Sequence, residues 1–195
     1  MTETSPKRLS RAQRREQLLE TAMAIVREQG TEALTLGTLA EHAGVTKPIA
    51  YEHFGTRAGL LIELCKRIDA QQVAALTNAL ERAPRELAEV ARVMSRAYMN
   101  CYLTVGPEWH AISAALKGTA EMEQAQQEMI DGYVALYCKA LAPYTRLSKE
   151  ELRLRCVGLI GAGEAISREM LRGRVSEARA AAAFGAMLVA TLSPT

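Results

Sequence analysis

Apolar positions recur with a helical period along nearly the whole chain. Leu18, Leu19, Ala22, Ile25 and Val26 form one stripe, Ser10 and Gln13 before it have capping-box spacing, and Gly30 closes it. This predicts a first helix over roughly 10–29. A second, shorter pattern (Leu36, Leu39, Ala40, Ala43) follows Thr35, which is suited to cap it. Gly44 can take the left-handed backbone that ends a helix, and Val45 fills the corner. Thr46 is placed to cap a third helix, whose first turn accepts Pro48 because a missing N–H costs little there. From Arg57, the stripe Leu60, Leu61, Leu64, Ile68, Val73, Leu76 and Leu80 predicts a long fourth helix.

Punctuation sets the remaining elements. Pro84 and Pro107 read as first-turn prolines of a fifth and a sixth helix, and Thr119 as the cap of a seventh, with Pro143 after its end. Ser148 and Glu151 have capping-box spacing for an eighth helix, and Gly173 and Ser176 mark the break before a ninth. Helix formers dominate and β-branched runs are scarce, so the expected fold is all-α with about nine helices. With 195 residues, 49% of them hydrophobic, the chain can bury a substantial core.

Composition narrows the functional classes. No apolar run approaches the ~18 residues of a membrane span, and the first residues lack the apolar core of a secretory signal. A cytoplasmic protein without a membrane partner is expected. Cys65, Cys101, Cys138 and Cys156 lie far apart and read as reduced, mostly buried thiols. Cys and His do not cluster, so neither a zinc site nor any other cofactor is expected. The net charge of +2 hides an asymmetry: residues 1–15 carry Lys7, Arg8, Arg11, Arg14 and Arg15 against Glu3 alone. That is a basic arm on a near-neutral body, which suits a polyanion; a solvated tail is the plainer alternative.

Helix, glycine turn and helix at the spacing of residues 35–54 make a helix-turn-helix, whose second helix can enter a DNA major groove. Here the chain resembles the tetracycline-repressor (TetR) family of bacterial regulators. Thr35, Leu39, Ala40, Ala43, Gly44, Val45, Tyr51, His53 and Phe54 carry the likeness, followed by Arg57, Leu60 and Leu61. An A-G-V turn alone is common, but one followed by Y-x-H-F and two leucines is much more specific. The likeness extends back through the first helix; beyond Leu61 only length and helical character agree. It implies three helices in a DNA-binding domain and six in a regulatory one, which places the division at 1–56 and 57–195.

Candidate DNA contacts are Thr35, Thr46, Lys47, Pro48, Ile49, Tyr51, His53 and Arg57. Lys47, near a helix N-terminus, can donate to guanine O6/N7 or to phosphate, and Pro48 and Ile49 can touch thymine methyls. The Tyr51 hydroxyl and a His53 ring N–H suit phosphate oxygens, a role the resemblance implies for both; it also implies a phosphate clamp at Arg57. A half-buried Tyr51 bracing two helices is the alternative. Phe54 reads as core. Leu36 and Gly37 stand where many relatives have polar or charged groups, so base readout is expected to rest on the third helix.

A second constellation is aromatic and sulfur-rich. Met94, Tyr98, Cys101, Tyr102 and Val105 share one helical face, as do Met122, Met129, Tyr133 and Tyr137; Trp109 and His110 lie between. Met adapts to varied apolar shapes, and Tyr adds a hydroxyl that can orient a ligand. The resemblance implies a small-molecule cavity among these helices, and the candidate lining is Met94, Tyr98, Tyr102, Trp109, Met129, Tyr133, Tyr137 and Glu164. Plain core is the alternative for each. Glu164, among small and apolar residues, either faces that cavity, pairs with Arg168 or lies at an interface. The glycines 158, 161 and 163 lack the strand and third-glycine spacing of a dinucleotide site and fit close helix packing better.

The eighth and ninth helices are rich in small and apolar residues, and the ninth is apolar on more than one face, which calls for burial on several sides. The resemblance implies a homodimer through these two helices, presenting two readers to a palindromic double-stranded operator. The expected function is a DNA-binding repressor released by a small, mainly apolar inducer. A regulator answering to a protein partner or to no effector is the alternative. The chain offers no G-x-S-x-G, H-E-x-x-H or P-loop pattern, so it is not expected to be an enzyme.

Overall fold

The computed structural model describes residues 9–104, 106–115 and 119–192, without the side chains of residues 106, 107, 109 and 110. Among these residues the chain is all-α, with nine α-helices and no strand: α1 (Arg11–Gln29), α2 (Leu36–His42), α3 (Lys47–Phe54), α4 (Arg57–Arg82), α5 (Leu87–Thr104), α6 (Gly106–Ala115), α7 (Ala120–Leu141), α8 (Lys149–Leu171) and α9 (Glu177–Thr191). None of the described helices is long and apolar enough to cross a membrane. The chain forms two compact units. The first holds α1, α2, α3, α4 through Cys65 and the C-terminal part of α6; the second holds the remainder.

In the first unit, Ser10 and Gln13 close the capping box of α1, and Leu18, Leu19, Ala22, Ile25 and Val26 form its buried stripe. Leu18, Ile25, Leu34, Leu39, Leu60, Leu61 and Leu64 are almost completely removed from solvent. Each contributes about 1.5–3 kcal/mol of apolar burial. Thr35 and Thr38 form a second capping box at the start of α2. Gly44 turns the chain at φ 64°, a backbone that residues with a side chain rarely adopt. Gln17 of α1 donates to the carbonyl of Ala43 at 3.4 Å, which ties the first helix to this turn.

Two predicted caps differ from expectation for one reason. Thr46 makes no side-chain cap on α3. Pro48 removes one donor of the first turn, and the next N–H, that of Ile49, bonds to the Thr46 carbonyl at 3.0 Å. The Thr46 hydroxyl is thereby left facing out. Thr119 likewise serves α7 through its carbonyl, which accepts from Met122 and Glu123. Pro84 precedes α5 by three positions instead of opening it.

In the second unit, α5 packs on α9 and α8, and α8 also packs on α7 and α9. Met94, Met99, Tyr137, Leu141, Cys156, Phe184 and Leu188 are fully buried at its centre. Gly163 lets α5 and α9 approach α8. A Cβ there would stand 2.9 Å from the Tyr98 ring and 3.0 Å from that of Phe184.

Candidate nucleic-acid interface and regulatory core

The helix-turn-helix presents one polar edge. Thr46, Lys47, Pro48 and Tyr51 are exposed, whereas Ala50 and Phe54 of the same helix are buried. This follows from the helical period: the buried pair is spaced i, i+4, and the exposed set lies opposite. Tyr51 is 55% exposed, so its ring is presented outward instead of wedged between helices. Ile49 and His53 are half-buried at the margins of the edge. The Thr35 hydroxyl is occupied at the start of α2, where it accepts from the Thr38 N–H at 3.0 Å.

Lys47 reaches toward α2. A Cβ built on Gly37 would lie 3.7 Å from Lys47 Cε and 3.9 Å from its ammonium nitrogen. Gly37 thus sits beneath the end of the lysine side chain, and the lysine supplies a charge next to that position.

The arginines divide into bracing and free groups. Arg57 donates from Nε to the Leu34 carbonyl at 2.9 Å and from Nη2 to the Thr31 carbonyl at 2.7 Å. The expected phosphate clamp therefore has two of its donor directions committed inside the unit, to the link between α1 and α2. Arg15 pairs with Glu63, donates to the His53 carbonyl at 3.2 Å and lies over the Phe54 ring. It ties α1 to the end of α3 and to α4 and is no part of an arm. Arg11 is exposed on the first turn of α1. Arg14 donates to Gln17 in its own helix, at 2.5 Å. Lys7 and Arg8 lie outside the described residues.

These cations act on His53. Burial chiefly lowers its pKa from the ordinary 6.5; Glu52 opposes this, and Arg11, Arg15 and Arg14 add to it. The imidazole is thus neutral at neutral pH, with the positive field of α1 beside it. The sequence groups Arg11 and Arg14 with the basic arm, although it already predicts the first helix from about residue 10; their i, i+3 spacing puts them on one face of α1, and their charges reach His53.

Comparison with known proteins agrees with this geometry. Residues 18–64, the span from mid-α1 into α4, match the model for bacterial regulatory proteins of the tetR family. That span belongs to the TetR family. Over 73 residues the chain is 34% identical to the HTH-type transcriptional activator FasR of Mycolicibacterium smegmatis, covering 37% of this chain and 33% of that protein. Over 89 residues it is 35% identical to the HTH-type transcriptional regulator BetI of Rhizobium meliloti, covering 43% of each. The chain thus aligns with less than half the length of the curated relatives it matches. Its fold is similar to that of a TetR-like transcriptional regulator from Rhodococcus sp. RHA1, with a TM-score of 0.67 and 21% identity over 96% of this chain and 100% of that one. The matched span is therefore a helix-turn-helix DNA-binding domain of the TetR type.

The second unit, which lies beyond the matched span, gathers most of the predicted ligand-lining residues. Met94, Met129 and Tyr137 are buried, and Tyr98, Tyr102 and Tyr133 are half-buried. The Tyr98 ring stands 5.4 Å from Tyr102 and 5.2 Å from Phe184, and its hydroxyl donates to the Ile160 carbonyl at 3.3 Å. Tyr102 shares hydrogen bonds with Tyr98 and Ser167, and burial lifts its pKa. The Tyr137 hydroxyl is buried and has no hydrogen-bond partner among the described residues. The side chains of Trp109 and His110, and residue Val105, lie outside the described residues.

Glu164 is exposed and pairs with Arg168 along α8 at 3.2 Å, one of the alternatives its sequence context left open. A different acid lies among the tyrosines. Asp69 of α4 is half-buried, and Cys101 and Tyr133 both feel its charge. The signal was present in the sequence: Leu61, Cys65, Asp69 and Leu76 continue one helical face, and Asp69 is the polar break in it.

Proposed function

We propose that this regulator is a homodimeric, cytoplasmic repressor that binds a palindromic operator and is released by a small organic ligand. The observation that carries the DNA half is the exposed edge Thr46, Lys47, Pro48 and Tyr51, flanked on α1 by Arg11 and Arg14. Groups that reach base edges give sequence preference, and the surrounding cations hold phosphates. In this reading, Lys47, Pro48 and Ile49 face bases, while Thr35, Thr46, Tyr51, His53, Arg11 and Arg14 face the backbone. Arg57 acts chiefly by fixing the link that holds α2.

The exposed faces of α8 and α9 support the dimer. Leu154 is 66% exposed, and Val157, Leu171, Met187 and Val189 are exposed with it. A cleft of about 330 Å³ between the two helices is lined by Arg155, Gly158, Leu159, Met187 and Thr191. A second copy supplies the burial such faces need, and a two-fold dimer presents its readers to successive major grooves. The cluster of Met94, Met129 and the four tyrosines 98, 102, 133 and 137 supports the ligand half. Its occupation is transmitted along α4, a single helix whose residues contribute to both units. A ligand shifts DNA affinity only by its difference in affinity for the two states.

Titration of full-length protein against selected and random duplexes, at several salt concentrations, tests the reading. Affinity for the selected site should exceed that for random DNA and should fall steeply with salt. Equal affinity for both would leave a non-specific polyanion binder.

A further inference from the structure

The ligand reading above leaves the chemistry of the ligand open; four observations in the second unit narrow it. Asp69 is half-buried, and among the described residues it has neither a cation nor a hydrogen-bond donor as partner. Nearly every other side-chain carboxylate engaged in this unit has an arginine: Glu89 with Arg92, Asp131 with Arg153, Glu151 with Arg155, Glu164 with Arg168, and Glu169 with Arg172 and Arg174. The groups whose charge couples to Asp69 are a thiol, Cys101, and a phenol, Tyr133, neither of which carries positive charge. The fourth observation is Tyr137. Its side chain is fully buried, its hydroxyl is unpartnered among the described residues, and it lies close enough to Tyr133, Tyr102 and Cys101 for their charges to act on it.

A half-buried carboxylate without a partner and a fully buried hydroxyl without a partner are both costly, and such groups cluster where something else completes them. The two requirements have different chemistry. A carboxylate calls for a cation, and the faces of Tyr98, Tyr102 and Tyr133 suit one as well, because the ring quadrupole attracts positive charge. The Tyr137 hydroxyl calls for a single hydrogen-bonding atom. Met94 and Met129 offer an adaptable apolar wall.

We propose that the effector is an amphiphilic organic cation whose ammonium group is held by the Asp69 carboxylate among Tyr102, Tyr133 and Tyr137. This rests on the ligand-responsive reading and deepens it: Asp69 is the charge-selecting residue of the site, whereas Glu164, whose charge reaches Tyr98 and Tyr102, is exposed and already paired with Arg168. Binding involves no covalent step. The ammonium stays protonated and the carboxylate stays ionised. The head group exchanges its water for the carboxylate and the phenol faces.

A matched trio of probes separates charge from shape: 4-phenylbutylamine, 4-phenylbutanol and 4-phenylbutyrate, titrated calorimetrically into the full-length protein at neutral pH, with release of operator DNA followed in parallel. The amine should bind about tenfold to a hundredfold tighter than the alcohol, the gain expected of a charge-assisted contact over a neutral one, and the acid should bind weakest. Asp69→Asn should remove the preference for the amine over the alcohol, and Asp69→Glu should restore part of it. Equal binding of amine and alcohol, with both releasing DNA, would overturn the cation and leave the ligand-responsive reading in place. Failure of the amine to bind protein that still recognises its operator would likewise overturn the cation, without bearing on ligands of other chemistry. Should Asp69→Asn fail to fold, the order of the three probes on the native protein decides alone.

Discussion

Arg57 Nε donates to the carbonyl of Leu34 across 2.9 Å, while Nη2 of the same guanidinium reaches the carbonyl of Thr31. One side chain thus fixes the link between the first two helices at both ends. Arg57→Ala leaves those carbonyls to water or to no partner and should cost about 1–2 kcal/mol of stability, an amount reduced by partial solvent access. Arg57→Lys should recover little of it, because an ammonium cannot serve both acceptors with the geometry of a planar fork. Urea unfolding midpoints measure this. An Arg57→Ala protein as stable as the parent but uniformly weaker on DNA would return the residue to the phosphate backbone.

Lys47→Ala should change the preference among single-base operator variants, with about 1–3 kcal/mol lost at the base it reads. Gly37→Leu should weaken the same preference, because its side chain would occupy the space beneath the end of Lys47. Gly37→Ala should not, since its methyl group would meet Lys47 at ordinary contact distance. Competition binding on variant duplexes distinguishes these outcomes. A uniform loss of affinity with an unchanged preference profile would assign Lys47 to phosphate.

DNA binding should take up a proton at His53. In the free protein its pKa lies below the ordinary value, owing to burial foremost, with Arg11, Arg15 and Arg14 acting in the same direction and Glu52 against. A phosphate placed beside the ring raises the pKa in the complex. Affinity is then highest at low pH and declines as pH rises through the pKa of the complex. Titrations between about pH 6 and pH 8 should show this slope, and His53→Gln should flatten it. An unchanged slope in His53→Gln would place the proton elsewhere.

Asp69 should work against the fold at neutral pH. Burial raises its carboxyl from the ordinary 3.8 to about 6. The folded state therefore holds the proton more tightly than the unfolded one; the stability this provides is complete below the unfolded value and lost as pH rises through about 6. Asp69→Asn should accordingly raise the melting temperature at about pH 7.5, and by a smaller margin near pH 5. Thermal unfolding at the two pH values decides it, and a destabilised Asp69→Asn at neutral pH would make the residue a structural one.

Charge placed on the outer face of α8 and α9 should separate the protomers. Leu154→Glu combined with Met187→Glu alters two exposed apolar side chains without entering the core of one protomer. Sedimentation should move from dimer to monomer, and operator affinity should fall with it. A dimer that persists would move the interface elsewhere.

Much of the architecture was legible because the apolar stripes are long and the helix ends are marked. The stripe of α1 and the box of Ser10 with Gln13 appear as the spacing predicts. Thr46 and Thr119 were misread because a hydroxyl and a carbonyl on the same residue compete for one N–H, and sequence does not reveal which is used. Arg57 shows a different limit. Its position in the motif identifies the residue but not the direction of its guanidinium, which depends on carbonyls more than twenty positions away. Asp69 was overlooked because one acid in a stripe of leucines reads as a solvated interruption until the neighbouring helices surround it. Glu164 was noticed for the opposite reason: small neighbours along the chain suggested an enclosure that α8 does not provide.

Gly163 has a genetic consequence. The space its missing side chain leaves is filled by the edges of Tyr98 and Phe184, at 2.9 and 3.0 Å from where a methyl group would begin. Gly163→Ala would push permanently on these two rings, one of which, Tyr98, belongs to the proposed ligand site. A selection for cells that express the regulated genes in the absence of any stimulus should therefore return this codon, alongside the expected losses in the reader itself. Those alleles would be recognisable by intact protein levels and an intact recognition helix.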